Sequence, residues 1–170
     1  PVAMAGLLFK DFVATELRSA TVIAWASIVF GLLLWIADQH GRQCRTEHGI
    51  GIWDVCIIGL AQVLALIPGT SRSGITMTAG LALGLTRDAA ARFSFFFAIP
   101  TITLAGGVQA VELIARAEPV AWGILASGAL LSFLFAYLCI HLFLQWITRI
   151  GMLPFVLYRV GLGITLLILF

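Results

Sequence analysis

Apolar and polar positions alternate along this chain in long blocks. Residues 19–37, SATVIAWASIVFGLLLWIA, form an apolar stretch long enough to cross a bilayer core, which takes about 20 helical residues. Residues 38–51, DQHGRQCRTEHGIG, are the most polar segment and read as a water-exposed loop. Residues 52–67 are apolar until Pro68-Gly69 stops them. As a helix they cover roughly 24 Å, against a hydrocarbon core about 30 Å thick. That helix is therefore expected to end inside the membrane or near its far edge. A second short helix is predicted over about 75–85, ending near Gly84 and succeeded by TRDAAAR. Two short helices around a polar turn read as a re-entrant hairpin, about 52–85. Non-helical backbone at that depth needs protein or a wet cavity around it.

Three further apolar stretches follow, about 93–114, 120–144 and 154–170. Pro100 and Gly106-Gly107 are expected to kink or thin the first of them. Phe93, Phe95, Phe96 and Phe97 cluster at its start as packing or lipid-facing aromatics. Residues 1–18 mix apolar groups with Lys10, Asp11, Glu16 and Arg18, as the end of one element and a short surface helix would. The pattern predicts an all-α, polytopic helical membrane protein, with residues 1–170 in one integral membrane domain.

Composition agrees. The 170 residues are 61% hydrophobic and 11% charged, where a soluble domain carries about 25% charged residues. The net charge of +2 and the scatter of basic residues exclude a nucleic-acid partner. Cys44, Cys56 and Cys139 show no CxxC pairing, so neither zinc nor a disulfide framework is expected; two of them lie in apolar segments as packing residues. No charged-then-apolar leader precedes the first span, and the chain opens at Pro1, as a processed protein or the later part of a longer one would. Counting Lys and Arg in loops places Arg42, Arg45, Arg87, Arg92 and Arg149 on the cytoplasmic side, and Lys10, Arg18 and Arg116 outside. The hairpin turn then faces the external side.

The chemistry concentrates in IPGTSRSGITMTAG, residues 67–80. An arginine at membrane depth is a functional-site hypothesis. Glycines let backbone N–H groups converge, and a helix beginning near Ile75 would aim its positive end at the same turn. Thr70, Ser71, Ser73 and Thr76 can donate hydroxyl hydrogen bonds. Arg72 offers a fork for two phosphate oxygens, and no carboxylate lies near it in sequence. A phosphate or diphosphate on a membrane substrate would complete the set. The competing structural reading has Arg72 snorkelling or paired with a buried acid while the hydroxyls cap a helix. A P-loop is excluded, because no G-K-[ST] follows and no strand precedes. Elsewhere, Asp54 is expected to cap the first hairpin helix and His40 and His48 to be solvated. Glu112 is read as an interfacial carboxylate and His141 as a structural histidine.

The segment GLAQVLALIPGTSRSGITMTAGLALGLTRDAAARFSFFFAIP (59–100) closely resembles the undecaprenyl-diphosphate phosphatase family of the bacitracin-resistance type. PGTSRSG, the following threonine, Arg-Phe-Ser-Phe and Ile-Pro carry the match, and LYRVGLGITLLILF resembles that family's carboxyl terminus. The resemblance implies a bacterial inner-membrane, multi-pass enzyme that hydrolyses undecaprenyl diphosphate to the monophosphate and phosphate, recycling the cell-wall lipid carrier. It implies an inverted-repeat fold, of which this chain resembles the second half. Arg72, Ser71 and Thr76 would be catalytic, and Gly69, Thr70, Ser71, Arg72, Ser73 and Gly74 would bind the diphosphate. A divalent cation, Mg²⁺ or Ca²⁺, is implied, with its ligands outside this chain; Gln62 stands where the repeat would place a catalytic glutamate. The chain is thus expected to hold half an active site. The expected partners are a polyprenyl diphosphate and the membrane, with a homo-oligomer left open. The rival readings are an anion-selective transporter or channel with a re-entrant loop, and a non-catalytic fragment.

Overall fold

A computed structural model describes residues 1–9, 13, 17–115 and 121–170. Lys10, Asp11, Glu16 and the segment 116–120 with Arg116 lie outside the described residues. Those described form helices α1 (Val2–Leu8), α2 (Ala20–His40), α3 (Ile52–Ala61), α4 (Arg72–Ala82), α5 (Arg87–Ala115), α6 (Trp122–Ile150) and α7 (Leu153–Leu169). Short 3₁₀ turns cover Glu47–Gly49 and Gln62–Leu66. The helices α2, α5 and α6 are long and apolar enough to cross a membrane, while Ile52–Leu66 and α7 are shorter apolar helices. The protein is an all-helical membrane protein among the described residues.

Several boundaries differ from the pattern reading. TRDAAAR opens α5 instead of forming a loop, because Thr86 Oγ1 accepts from the Ala89 N–H at 3.2 Å and caps the helix. Ala89, Ala90 and Ala91 are buried, and α5 uses them to pack on α4; a Cβ at Gly80 would lie 3.2 Å from that of Ala90. The helix continues through Pro100 without a break. At the other end α6 runs to Ile150, so only Gly151-Met152 join it to α7. Cys56 and Cys139 are exposed and free, not packed, as is Cys44.

The core forms where α2, α4, the start of α5 and α7 meet, around Leu34, Ile58, Met77, Leu81, Leu85, Ile147, Met152 and Val156. Small residues let α2 and α7 approach closely. A Cβ on Gly163 would stand 2.6 Å from Ile28 Cγ1 and 2.8 Å from the Ala24 carbonyl oxygen. By contrast, residues 102–115 of α5 and 121–142 of α6 are exposed throughout. Their apolar surface is what a bilayer or further protein would cover.

Two ion pairs fix the polar end. Arg45 donates to Asp54 Oδ2 at 2.6 Å, to the Gly49 carbonyl at 2.7 Å and to the Leu83 carbonyl at 3.1 Å. Its backbone pairs with Gly84 and Thr86, so the 41–51 loop closes the base of the hairpin. Asp54 also accepts from the Gly51 N–H at 2.8 Å, the helix cap expected of it. Asp38, at the end of α2, accepts from Arg87 Nε at 2.6 Å and Nη2 at 3.1 Å, and lies 3.4 Å from the Met152 N–H.

Candidate functional site

The turn between α3 and α4 is built by a change of helical pitch and two unusual backbone conformations. After Ala61 the chain tightens into 3₁₀ geometry, and Gln62 is buried with Nε2 3.3 Å from Thr101 Oγ1. Gly69 has φ +93°, and its Cα faces the Ile23 backbone so closely that a Cβ would overlap the carbonyl. Ser71 has φ +65°, a left-handed conformation that costs a non-glycine residue free energy and marks functional turns. Its Oγ accepts from the Gly74 N–H at 3.2 Å, so α4 starts at Arg72, three residues before the Ile75 expected from the pattern. Ser73 and Gly74 are weak helix formers, and the cap overrides them.

The Gly69 carbonyl is the pivot. It accepts from Ser27 Oγ of α2 at 3.3 Å and from Arg159 Nη2 of α7 at 2.6 Å. The other terminal nitrogen of Arg159, Nη1, is buried and has no hydrogen-bond partner. It lies against the first turn of α4, 2.6 Å from where a Gly74 Cβ would stand. A cavity of 470 Å³ opens here, lined by Gly69, Ser71, Ser73 and Gly74 of the turn together with Ser27, Tyr158 and Arg159. Its remaining wall is apolar: Ile23, Leu34, Met77, Phe143, Met152, Phe155 and Leu162. Among the described residues, no carboxylate, histidine or cysteine lines it. A more open groove of 310 Å³ along α2 has no charged side chain.

Gly69, Ser71, Ser73 and Gly74, expected at the site, thus line one cavity. Arg72 is exposed at the first position of α4, outside the cavity lining. Thr70 is fully buried with Oγ1 unpaired. Thr76 is buried, and its hydroxyl meets Ser94 Oγ at 2.7 Å and donates to the Arg72 and Ser73 carbonyls at 3.1 Å. That hydroxyl couples α4 to α5. Glu112 and His141 are exposed on α5 and α6, away from the cavity, and His141 Nε2 lies 2.9 Å from Gln145 Nε2. Arg159 is the residue the sequence reading missed. Its signal was present: an arginine inside the apolar stretch 154–170, subject to the same rule that singled out Arg72.

Residues 1–165 match the family described as bacitracin resistance protein BacA. The chain belongs to this family. It is 55% identical over 173 residues to undecaprenyl-diphosphatase 2 of Stutzerimonas stutzeri, and 55% identical over 170 residues to undecaprenyl-diphosphatase of Nitrosococcus oceani. A further relative, undecaprenyl-diphosphatase of Thioalkalivibrio sulfidiphilus, is 55% identical over 171 residues. In each comparison all of this chain is covered, and the chain spans 64% of the relative's length.

Within this BacA-family chain the donor set tests the implied divalent cation. No cluster of three or more His, Cys, Asp or Glu that could hold a metal occurs among the described residues. The cavity offers a guanidinium, which repels a cation, and hydroxyls that can donate to an anion. These residues do not fit a metal.

Proposed function

We propose that this chain supplies one wall of an undecaprenyl-diphosphatase, binding the diphosphate of undecaprenyl diphosphate at the 69–74 turn. The observation that carries the reading is the cavity beneath that turn. Ser71, Ser73 and the start of α4 share that cavity with a guanidinium, with no carboxylate among the described lining residues and with the rest of the lining largely apolar. Such a site matches an anion attached to a hydrocarbon. The reaction consumes one water; the anhydride P–O bond breaks and leaves the lipid monophosphate and inorganic phosphate.

In that reaction the turn acts electrostatically. The N–H groups at the start of α4 have no helical carbonyl ahead of them, and the helix dipole adds positive potential for charge on the phosphoryl oxygens. Ser71 and Ser73 are assigned as donors to the diphosphate, because among the described residues no base lines the cavity beside them. Arg72, next to the cap, adds a bidentate fork to the phosphoryl group. Mg²⁺ or Ca²⁺, implied by the family resemblance, would neutralise diphosphate charge on ligands other than these residues. The 52–85 segment would be a re-entrant hairpin in a multi-pass protein of the bacterial inner membrane, and the chain one half of an inverted repeat.

The test is phosphate release from a polyprenyl diphosphate by the purified chain and by an intact relative, with and without Mg²⁺ or Ca²⁺. Arg72→Ala in the intact relative is expected to abolish nearly all release, and Arg72→Lys to restore little. Near-normal turnover by either at saturating substrate would contradict the assignment of Arg72. Ion flux through liposomes without hydrolysis would replace the enzyme by a transporter.

A further inference from the structure

Arg159 belongs to the last helix, 90 residues from the turn it touches. Only one of its terminal nitrogens is accounted for: Nη2 donates to the Gly69 carbonyl, while Nη1 is buried without a partner. The ion pairs among the described residues use Asp38, Asp54 and Asp88, and none includes Arg159. A guanidinium removed from water without a counter-ion is unfavourable, and a brace on one carbonyl needs no charge. The cation therefore calls for an anion.

The surroundings say which anion. Nη1 abuts Gly74 in the first turn of α4, where any side chain would displace it. Ser71 and Ser73 open into the same cavity, so cation, hydroxyls and helix end converge on one volume. The rest of the lining is largely apolar, including Leu34, Met77, Phe143, Phe155 and Leu162. The polar part of the lining suits phosphate and the apolar part suits hydrocarbon.

We propose that Arg159 is a phosphate-binding residue of this site, its guanidinium holding the diphosphate of a prenyl diphosphate whose first hydrocarbon units lie along the apolar part of the lining. This rests on the diphosphatase reading above and extends it from the turn to α7. Arg159 and Arg72 then approach the diphosphate from different elements: Arg159 from within the cavity, Arg72 from outside it.

The test uses the full 170-residue chain in lipid nanodiscs, with farnesyl diphosphate, inorganic pyrophosphate and farnesol as probes. Arg159→Gln removes the charge and keeps a polar amide at the position. The wild-type chain is expected to bind farnesyl diphosphate more tightly than pyrophosphate. Arg159→Gln is expected to weaken both at least about tenfold, the scale of a lost charge-assisted bond, with farnesol binding unchanged. Equal wild-type affinity for the two diphosphates would still support Arg159 but overturn the hydrocarbon wall. Full diphosphate affinity in Arg159→Gln overturns the role of Arg159 and leaves the diphosphatase reading standing. A parallel loss for farnesol would mark a structural brace and overturn it too. Failure of the wild-type chain to bind either diphosphate overturns both readings. Should Arg159→Gln lose its helical circular dichroism, Arg159→Lys decides: retained diphosphate binding supports the role of charge, and lost binding in a folded protein overturns it.

Discussion

Asp38 and Arg87 form a two-bond ion pair with its carboxylate buried, Nε to Oδ1 at 2.6 Å and Nη2 to Oδ2 at 3.1 Å, that joins the end of α2 to the start of α5. The Asp38 side chain is 2% exposed. The Met152 N–H lies 3.4 Å from the same carboxylate, so the α6–α7 joint is tied to it as well. Through this joint the pair sets the position of α7, and with it Arg159.

Removing Arg87 strands the Asp38 carboxylate. Arg87→Ala is expected to lower stability by about 3–5 kcal/mol, the cost of breaking a buried pair from one side. The Arg92–Asp88 pair is i,i+4 on the helix surface, with both side chains about a third exposed or more. Arg92→Ala is therefore expected to cost no more than about 0.5 kcal/mol. The double variant Asp38→Asn/Arg87→Gln should be more stable than Arg87→Ala. Unfolding in mixed micelles orders the three, and a milder effect for Arg87→Ala than for Arg92→Ala would contradict the pair's role.

Two glycines predict opposite outcomes. Gly69 has φ +93° and no room for a Cβ, so Gly69→Ala should destabilise by at least about 1–3 kcal/mol and displace the Gly69 carbonyl from Arg159. Gly161, in α7, has open space where a Cβ would stand, with nothing within 4 Å. Gly161→Ala should stabilise by about 0.4–1 kcal/mol. Thermal unfolding of the two variants is the measurement, and equal effects would refute the reading of the turn.

Asp54, at the polar base of the hairpin, predicts an acid response. The hydrogen bond from Arg45, reinforced by the Gly51 N–H, holds its carboxyl below the usual range, and the same bond raises Arg45. A depressed folded pKa adds stability that is fully present above the unfolded value of about 3.9, and is lost as pH falls through the folded value. Trp53, exposed beside Asp54, reports the change. Its fluorescence should hold steady near neutrality and shift in acid as the loop detaches. Asp54→Asn should remove that acid transition; an unchanged transition in the variant rules out Asp54 as its source.

Thr76 predicts a positioning effect. Thr76→Val removes the 2.7 Å contact with Ser94 and is expected to cost about 1 kcal/mol, while Thr76→Ser keeps the hydroxyl and should lie near wild type. Equal unfolding midpoints for Thr76→Val and wild type would show that the hydroxyl does not couple α4 to α5.

Much of this was legible in the chain. The apolar blocks at 19–37, 93–114, 120–144 and 154–170 each became a helix, because in lipid the backbone can satisfy its hydrogen bonds only within itself. The break at Pro68-Gly69 was legible because proline and glycine punctuate a helix locally. Boundaries were less so. Thr86 and Ser71 moved two helix starts toward the amino end through single capping bonds, and hydropathy carries no information about a cap.

The composition by itself determined a helical membrane protein, and the 67–80 stretch marked a break rich in glycine and hydroxyl residues, since helix length and turn chemistry are local properties. Tertiary structure alone decided which arginine enters the cavity. Arg159 and Gly69 meet where α7 and the turn both pack close to α2, a contact between distant segments that no local pattern encodes.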